Sequence, residues 1–341
     1  MKLAPALRAG RVLLLVLAST GVALLLSEGL ARVFAPGWQP RRAERSLFWM
    51  YHPRLGWMHR PDTSGRFVGP SWDVDVQINS HGLRDVEHTY ERLPGKKRAL
   101  MLGDSIGWGF GVEQEHMVSS VLGRLCPSWE VVNASVSGYS TDQEYLWYQL
   151  EGRKYSPDLV LLLLHANDVP GNSVPRLYGY GKPRFLIVGG ELQLTNVPVP
   201  ERTFRERLYR WFIGRSYLAN GVVASWQGAP GWFEPAGARQ WMHEPLRTEV
   251  TWRLLSRFAA DLREAGVDFC WVLLPMQKEQ AAAFHAVARR VGVPVVDLNP
   301  RFAKAARSGR MLFLSRDEHW SAEGHRAAAA EIVRVLPGCS P

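Results

Sequence analysis

Between residues 97 and 336, short, almost uninterrupted apolar runs alternate with stretches of helical pattern. The runs are Ala99–Leu102, Val131–Asn133, Leu159–Leu164, Val267–Leu274 and Val293–Leu298. Runs this short and this apolar are what parallel strands buried on both faces require. The helical stretches fall between and after them, near Gln114–Leu125, Thr141–Tyr155, Leu246–Ala265, Lys278–Val291 and Ala322–Val335. Strand and helix in strict alternation predict an α/β domain, a three-layer α/β/α sandwich around a parallel sheet of about five strands.

Upstream, the pattern differs. Val12–Ser27 carries no charge and follows Lys2, Arg8 and Arg11. As a helix it rises about 24 Å, and including Gly29–Phe34 makes it long enough for the roughly 30 Å hydrocarbon core. A single-pass anchor in the inner membrane is expected, with the following domain on the extracytoplasmic side. A cleaved signal peptide is the rival, but no small-x-small cleavage site follows the run. Arg32, Arg41, Arg42 and Arg45 after the span weaken the orientation argument. Residues 35–60, rich in Pro, Arg and Trp, read as a juxtamembrane linker, and Asp73–Ile78 as an alternating strand. The expected organisation is an anchor at 1–34, a linker and accessory strand region at 35–96, and the α/β domain at 97–341 carrying an insertion at 170–243. Within the insertion, Phe185–Val188 and Glu191–Thr195 around Gly189-Gly190 predict a hairpin. Phe204–Ser225 reads as a helix with Arg205, Arg207, Arg210 and Arg215 among apolar residues. Such a helix is a solvated surface element, a lid, or a face lying on the membrane.

Lys plus Arg exceed Asp plus Glu by 41 to 32. The excess is dispersed, without a basic block or zinc-finger spacing, which argues against a nucleic-acid partner. Cys126, Cys270 and Cys339 have no metal-ligand spacing. Cys270 sits in an apolar run as a buried thiol, and a Cys126–Cys339 bridge is compatible with an oxidising compartment.

Chemistry gathers at the strand ends. The first strand runs into Gly103-Asp104-Ser105, the second into Asn133-Ala-Ser-Val-Ser-Gly138, and the third into His165-Ala-Asn167-Asp168. Asp317-Glu-His319-Trp stands just before the last helix. Open α/β sheets bind ligands outside the carboxyl ends of their strands. The four segments, in this order, resemble the SGNH (GDSL-type) hydrolase family, whose blocks are Gly-Asp-Ser, a glycine, Gly-x-Asn-Asp and a terminal Asp–His pair. Ile78-Asn79-Ser80-His81-Gly82-Leu83-Arg84-Asp85 is similar to the lead-in of membrane-anchored bacterial members.

The resemblance implies Ser105 as nucleophile, His319 as its base and Asp317 as the acid orienting the histidine. It implies an oxyanion hole made by the Ser105 and Gly138 N–H groups and the Asn167 amide. An ester hydrolase is expected, acting through an acyl-serine on a small-molecule, glycan or lipid ester. An O-acyltransferase of the polysaccharide-acetylation type would use the same site, as the Asp-x-His-Trp spacing and Trp211, Trp226, Trp232 and Trp241 allow. A non-catalytic glycan- or partner-binding domain is the third reading. Two departures stand out: Asp317 and His319 are one residue closer than the usual Asp-x-x-His, and block three lacks its glycine. No cofactor and no metal are expected, since Asp104 and Asp168 lack the histidine or carboxylate company of a metal site. His165 and His325 read as packing residues. Gly103-Asp-Ser105-Ile-Gly107 also satisfies the nucleophile-elbow pattern, but that fold places several strands before its serine.

Overall fold

The computed structural model describes residues 3–35, 38, 47–226, 245–315 and 317–339. Its centre is a five-stranded parallel sheet: β1 Lys97–Leu102, β2 Trp129–Asn133, β3 Leu159–Leu164, β4 Asp268–Leu273 and β5 Val295–Asp297, in the spatial order β5-β4-β3-β1-β2. β1 pairs with both β2 and β3. Strand order therefore reverses at β1, which opens a crevice at the carboxyl ends of β1 and β3.

Residue alternation along the strands sorts the interior into two cores. Leu100, Leu102, Leu162, Leu164 and Trp271 face helices Thr141–Leu150, Pro245–Glu264 and Lys278–Val291. Met101, Leu161, Leu163 and Val272 face helices Val118–Leu125, Asn299–Arg307 and Ala322–Ile332. This is the three-layer sandwich expected. Helix Asn299–Arg307 was not anticipated. It buries only Phe302 and Ala305, too narrow a stripe to read as periodic, although its Pro near the first turn is a start signal.

Residues 47–60 are not a linker. Trp49–His52 pairs antiparallel with Gly56–His59, and Trp57 is fully buried with its ring stacked 4.7 Å from Trp49. A second hairpin, Thr63–Val68 with Asp73–Ile78, adds Phe67, Val74 and Val76 to the same core. In the first hairpin aromatic side chains carry the packing, so no hydrophobic period betrays it, whereas Asp73–Ile78 shows the alternation expected of it.

The chain divides into two compact units. One holds the sheet together with residues 43–201 and 233–341; the other joins residues 1–42 to 202–232. The 170–243 segment is therefore not one insertion. The hairpin Arg184–Val188/Glu191–Thr195 belongs to the sheet unit. In the other unit, Phe204–Ser225 is two helices, Phe204–Ile213 and Tyr217–Trp226. The break has a physical cause in Ser216: its Oγ accepts the Ala219 N–H, while the Glu28 carboxylate accepts the Tyr217 and Leu218 N–H groups. Glu28 lies on helix Leu3–Phe34, whose residues Gly10–Phe34 are long and apolar enough to cross a membrane. Cys126 and Cys339 form a disulfide, and Cys270 is buried and free.

Two interior histidines set an acid sensitivity. Burial pushes the His59 imidazole down to about 4 and that of His325 down to about 3. His325 Nδ1 accepts the Val118 N–H at 3.2 Å, so the ring is packed as a neutral acceptor. Below the ordinary histidine pKa the unfolded chain takes up protons that these two sites refuse, so stability falls as pH drops. Each site contributes a loss of about 2 kcal/mol between pH 7 and pH 5. His88 works in the opposite direction, since bonds to Asp85 and Glu130 outweigh its burial and raise its pKa. We expect thermal unfolding to show a smaller pH 7-to-5 loss of stability in His325→Gln than in the unsubstituted chain. An equal loss in both would show that His325 is not the neutral buried group described.

Candidate active site

The end of β1 turns at Gly103, where a Cβ would stand 3.0 Å from Leu163 Cβ. Asp104 then starts a short helical turn, Ser105–Trp108, its Oδ1 accepting the Ile106 N–H at 2.9 Å. Ser105 is thus held at the mouth of the crevice. Its Oγ is 2.7 Å from His319 Nε2, and His319 Nδ1 is 2.5 Å from Asp317 Oδ1. The same carboxylate oxygen accepts the His319 backbone N–H at 2.9 Å. The short Asp-x-His spacing therefore still lets the acid reach the imidazole, because the backbone turns around the carboxylate. Burial raises the Asp317 pKa, but its bonds to His319 outweigh this and hold it below the usual carboxylate value.

Asn167 lies beside this row, its Nδ2 donating to Asp104 Oδ2 at 3.3 Å. Asp104 is fully buried, which disfavours its charge. The nearby His165, the Ile106 N–H and Asn167 overcome that and keep its pKa lowered. Asp168 accepts the His165 N–H at 2.8 Å, while burial and the Asp104 charge drive its own pKa well up. Asp168 is thereby a buried brace for the turn after β3.

Gly138 has φ +80°, and a Cβ there would meet the Tyr178 ring at 2.9 Å and Trp49 at 3.1 Å. Glycine is required on both counts. Its loop is tied to the Ser105 segment: the Val136 N–H donates to Gly103 O at 3.0 Å and Asn133 Nδ2 to Gly107 O at 3.0 Å. From the other side, Trp57 Nε1 donates to Ser137 O and Tyr139 Oη to Trp57 O. The hairpin at 49–59 is thus part of the scaffold of this loop.

The structure joins Ser105, His319 and Asp317 directly, and links Asn167 to them through Asp104. Gly138 stands on a loop fastened to the same strand end. Sequence reasoning passed over Phe110, whose ring is stacked on His319 with centroids 4.0 Å apart and planes 16° apart. It also left Arg84 without a role, although the residue lies in the recognised lead-in segment. Its guanidinium is buried and donates to the carbonyls of Trp108, Gly109 and Val112.

The sequence profile of the GDSL-like Lipase/Acylhydrolase family matches residues 101–327. No curated protein matches the chain. Among solved structures, TesA is 14% identical, with 71% of this chain and 98% of that chain covered at a TM-score of 0.42. A catalytic mutant of Axe2, an acetylxylan esterase from Geobacillus stearothermophilus, is 12% identical over 72% of this chain and 97% of that one, TM-score 0.42. The psychrotrophic esterase EstA from Pseudoalteromonas is 12% identical over 71% and 97%, TM-score 0.41.

Proposed function

This chain belongs to the GDSL-like lipase/acylhydrolase family, a serine hydrolase acting on ester bonds, and from that premise we propose that Ser105, His319 and Asp317 hydrolyse an O-acyl ester through an acyl-serine. The observation that carries the reading is the unbroken hydrogen-bond row from Asp317 through His319 to Ser105.

A serine hydroxyl is a weak nucleophile until a base removes its proton. His319 Nε2 takes that proton as Ser105 Oγ bonds to the ester carbonyl carbon. Asp317, kept ionised, fixes the proton of the imidazole on Nδ1 and stabilises the imidazolium that forms. The carbonyl oxygen becomes an oxyanion, for which the Ser105 N–H, the Gly138 N–H and Asn167 Nδ2 are the donors. Collapse breaks the ester C–O bond, and the alcohol leaves with the proton from His319. Water then attacks the acyl-serine by the same route, releasing the acid and restoring Ser105.

Family membership favours water over a sugar hydroxyl as the acceptor. Trp232 and Trp241 lie outside the described residues, as does the Trp226 side chain, and Trp211 stands in the unit of the apolar helix. The test follows acetate release from short acyl esters with and without an acetyl-accepting polysaccharide. Release at a rate indifferent to the acceptor is expected; acetylated glycan forming faster than free acetate would make the protein a transferase.

We place residues 1–34 as a membrane anchor and the sheet unit on the oxidising side of the inner membrane. The apolar length of Gly10–Phe34 and the Cys126–Cys339 disulfide support this. Chain isolated from membranes under alkylating conditions should carry no maleimide on Cys126 or Cys339 before reduction, and both reacting at once would refute the placement.

A further inference from the structure

We propose that Phe110 is a positioning residue for His319, and that Arg84 is the buried peg that holds the Phe110 loop in place. The inference rests on the proposed role of His319 and extends it to two residues outside the Ser–His–Asp row.

The two hydrogen bonds of the His319 ring act in its plane, at Nδ1 and Nε2. They fix where the ring edge points but leave it able to tilt about the line joining the two nitrogens. A flat group on one face removes that freedom and keeps water off the face. Phe110 is that group, stacked at 4.0 Å and nearly parallel. Its own orientation is set by edge contacts with Phe67 at 4.9 Å and Trp72 at 5.1 Å, both on the second hairpin. The loop bearing Phe110 also abuts the loop bearing His319. Gly111, at φ +74°, sits where a Cβ would be 2.5 Å from Leu314 Cδ1, and the Leu314 N–H donates to His319 O.

The loop at 108–112 has little regular structure, and beyond the Val112 N–H donated to Gly109 O its carbonyls need donors from elsewhere. Arg84 supplies them. Nη1 donates to Trp108 O at 3.1 Å and Gly109 O at 2.5 Å, and Nη2 to Val112 O at 2.7 Å. The guanidinium lies over the Trp108 ring at 4.8 Å. Burial lowers its pKa to about 10, which leaves it charged at neutral pH. A fork of donors fits three converging carbonyls in a way that a lysine ammonium does not. The lead-in segment 78–85 thereby acts on the chemistry without touching substrate.

The test compares Phe110→Leu, which keeps an apolar side chain but loses the flat face, with Phe110→Tyr, which restores it. Phe110→Leu should lower kcat roughly 10- to 100-fold with KM nearly unchanged, and Phe110→Tyr should recover most of the loss. In histidine-labelled protein, the carbon-bound protons of His319, assigned by their loss in His319→Gln, should move downfield in Phe110→Leu as the ring current disappears. Arg84→Lys should lower kcat in the same sense, and the double variant should be little worse than the worse single one, because both act through one contact. Should Arg84→Lys fail to fold, the Phe110 pair still decides. Unchanged kcat, or an effect confined to KM, would overturn the proposal. If instead Ser105→Ala retains full activity, the fault lies in the underlying assignment of the site.

Discussion

Alanine at Ser105 is expected to lower kcat/KM for a good ester by about six powers of ten, and His319→Ala by nearly as much. In the proposed mechanism the two residues act on one event, the transfer of the hydroxyl proton as the Oγ–carbon bond forms, so each loss already removes the covalent route. The double variant should therefore be no worse than either single one. What survives is the contribution of oxyanion donors and binding, roughly three to four powers of ten over water. Neither change should alter the fold. The Ser105 hydroxyl is bonded to His319 rather than to the core, and the turn it begins is capped by the Asp104 side chain. Steady-state kinetics beside a thermal melt checks both statements. Wild-type rates in Ser105→Ala would remove the nucleophile from the account.

Asp317→Asn is expected to cost about four powers of ten in kcat, less than loss of the serine. The side chain keeps its size, so the loss is one of proton placement. The aspartate accepts from both the His319 backbone N–H and the Nδ1–H of the ring. One oxygen, Oδ1, takes both bonds, so an asparagine that places its NH2 at that position donates to Nδ1. That stabilises the tautomer with the proton on Nε2, where it faces Ser105 and cannot receive another. Because the wild-type Asp317 pKa is lowered, the orienting charge persists as pH falls, down to below the usual carboxylate range. Kinetics of Asp317→Asn against Asp317→Ala separates tautomer choice from simple loss of contact. A wild-type rate in Asp317→Asn would mean that His319 is oriented by another group.

The central sheet was readable because strands buried on both faces leave near-continuous apolar runs. Leu159–Leu164 is the clearest case, with every residue buried. The linear motifs likewise pointed to Ser105, Gly138, Asn167, Asp317 and His319, since each stands where a strand or a loop before a helix ends. Other parts left no periodic trace. Trp49–His59 packs through stacked aromatic rings, and its Pro and Arg content imitates a linker. The pairing of Phe110 with His319 joins residues far apart in sequence, and a phenylalanine between two glycines reads as loop chemistry. Arg84 was visible as a motif residue, yet nothing linear connects it with the carbonyls at 108–112.

The most direct measurement is the mass of the chain after reaction with a fluorophosphonate, followed by peptide mapping of the adduct. One phosphonyl group on Ser105 is predicted, formed quickly in the native chain and almost absent in His319→Ala. Labelling at another serine, or none in folded protein, would contradict the assignment of Ser105 as the nucleophile.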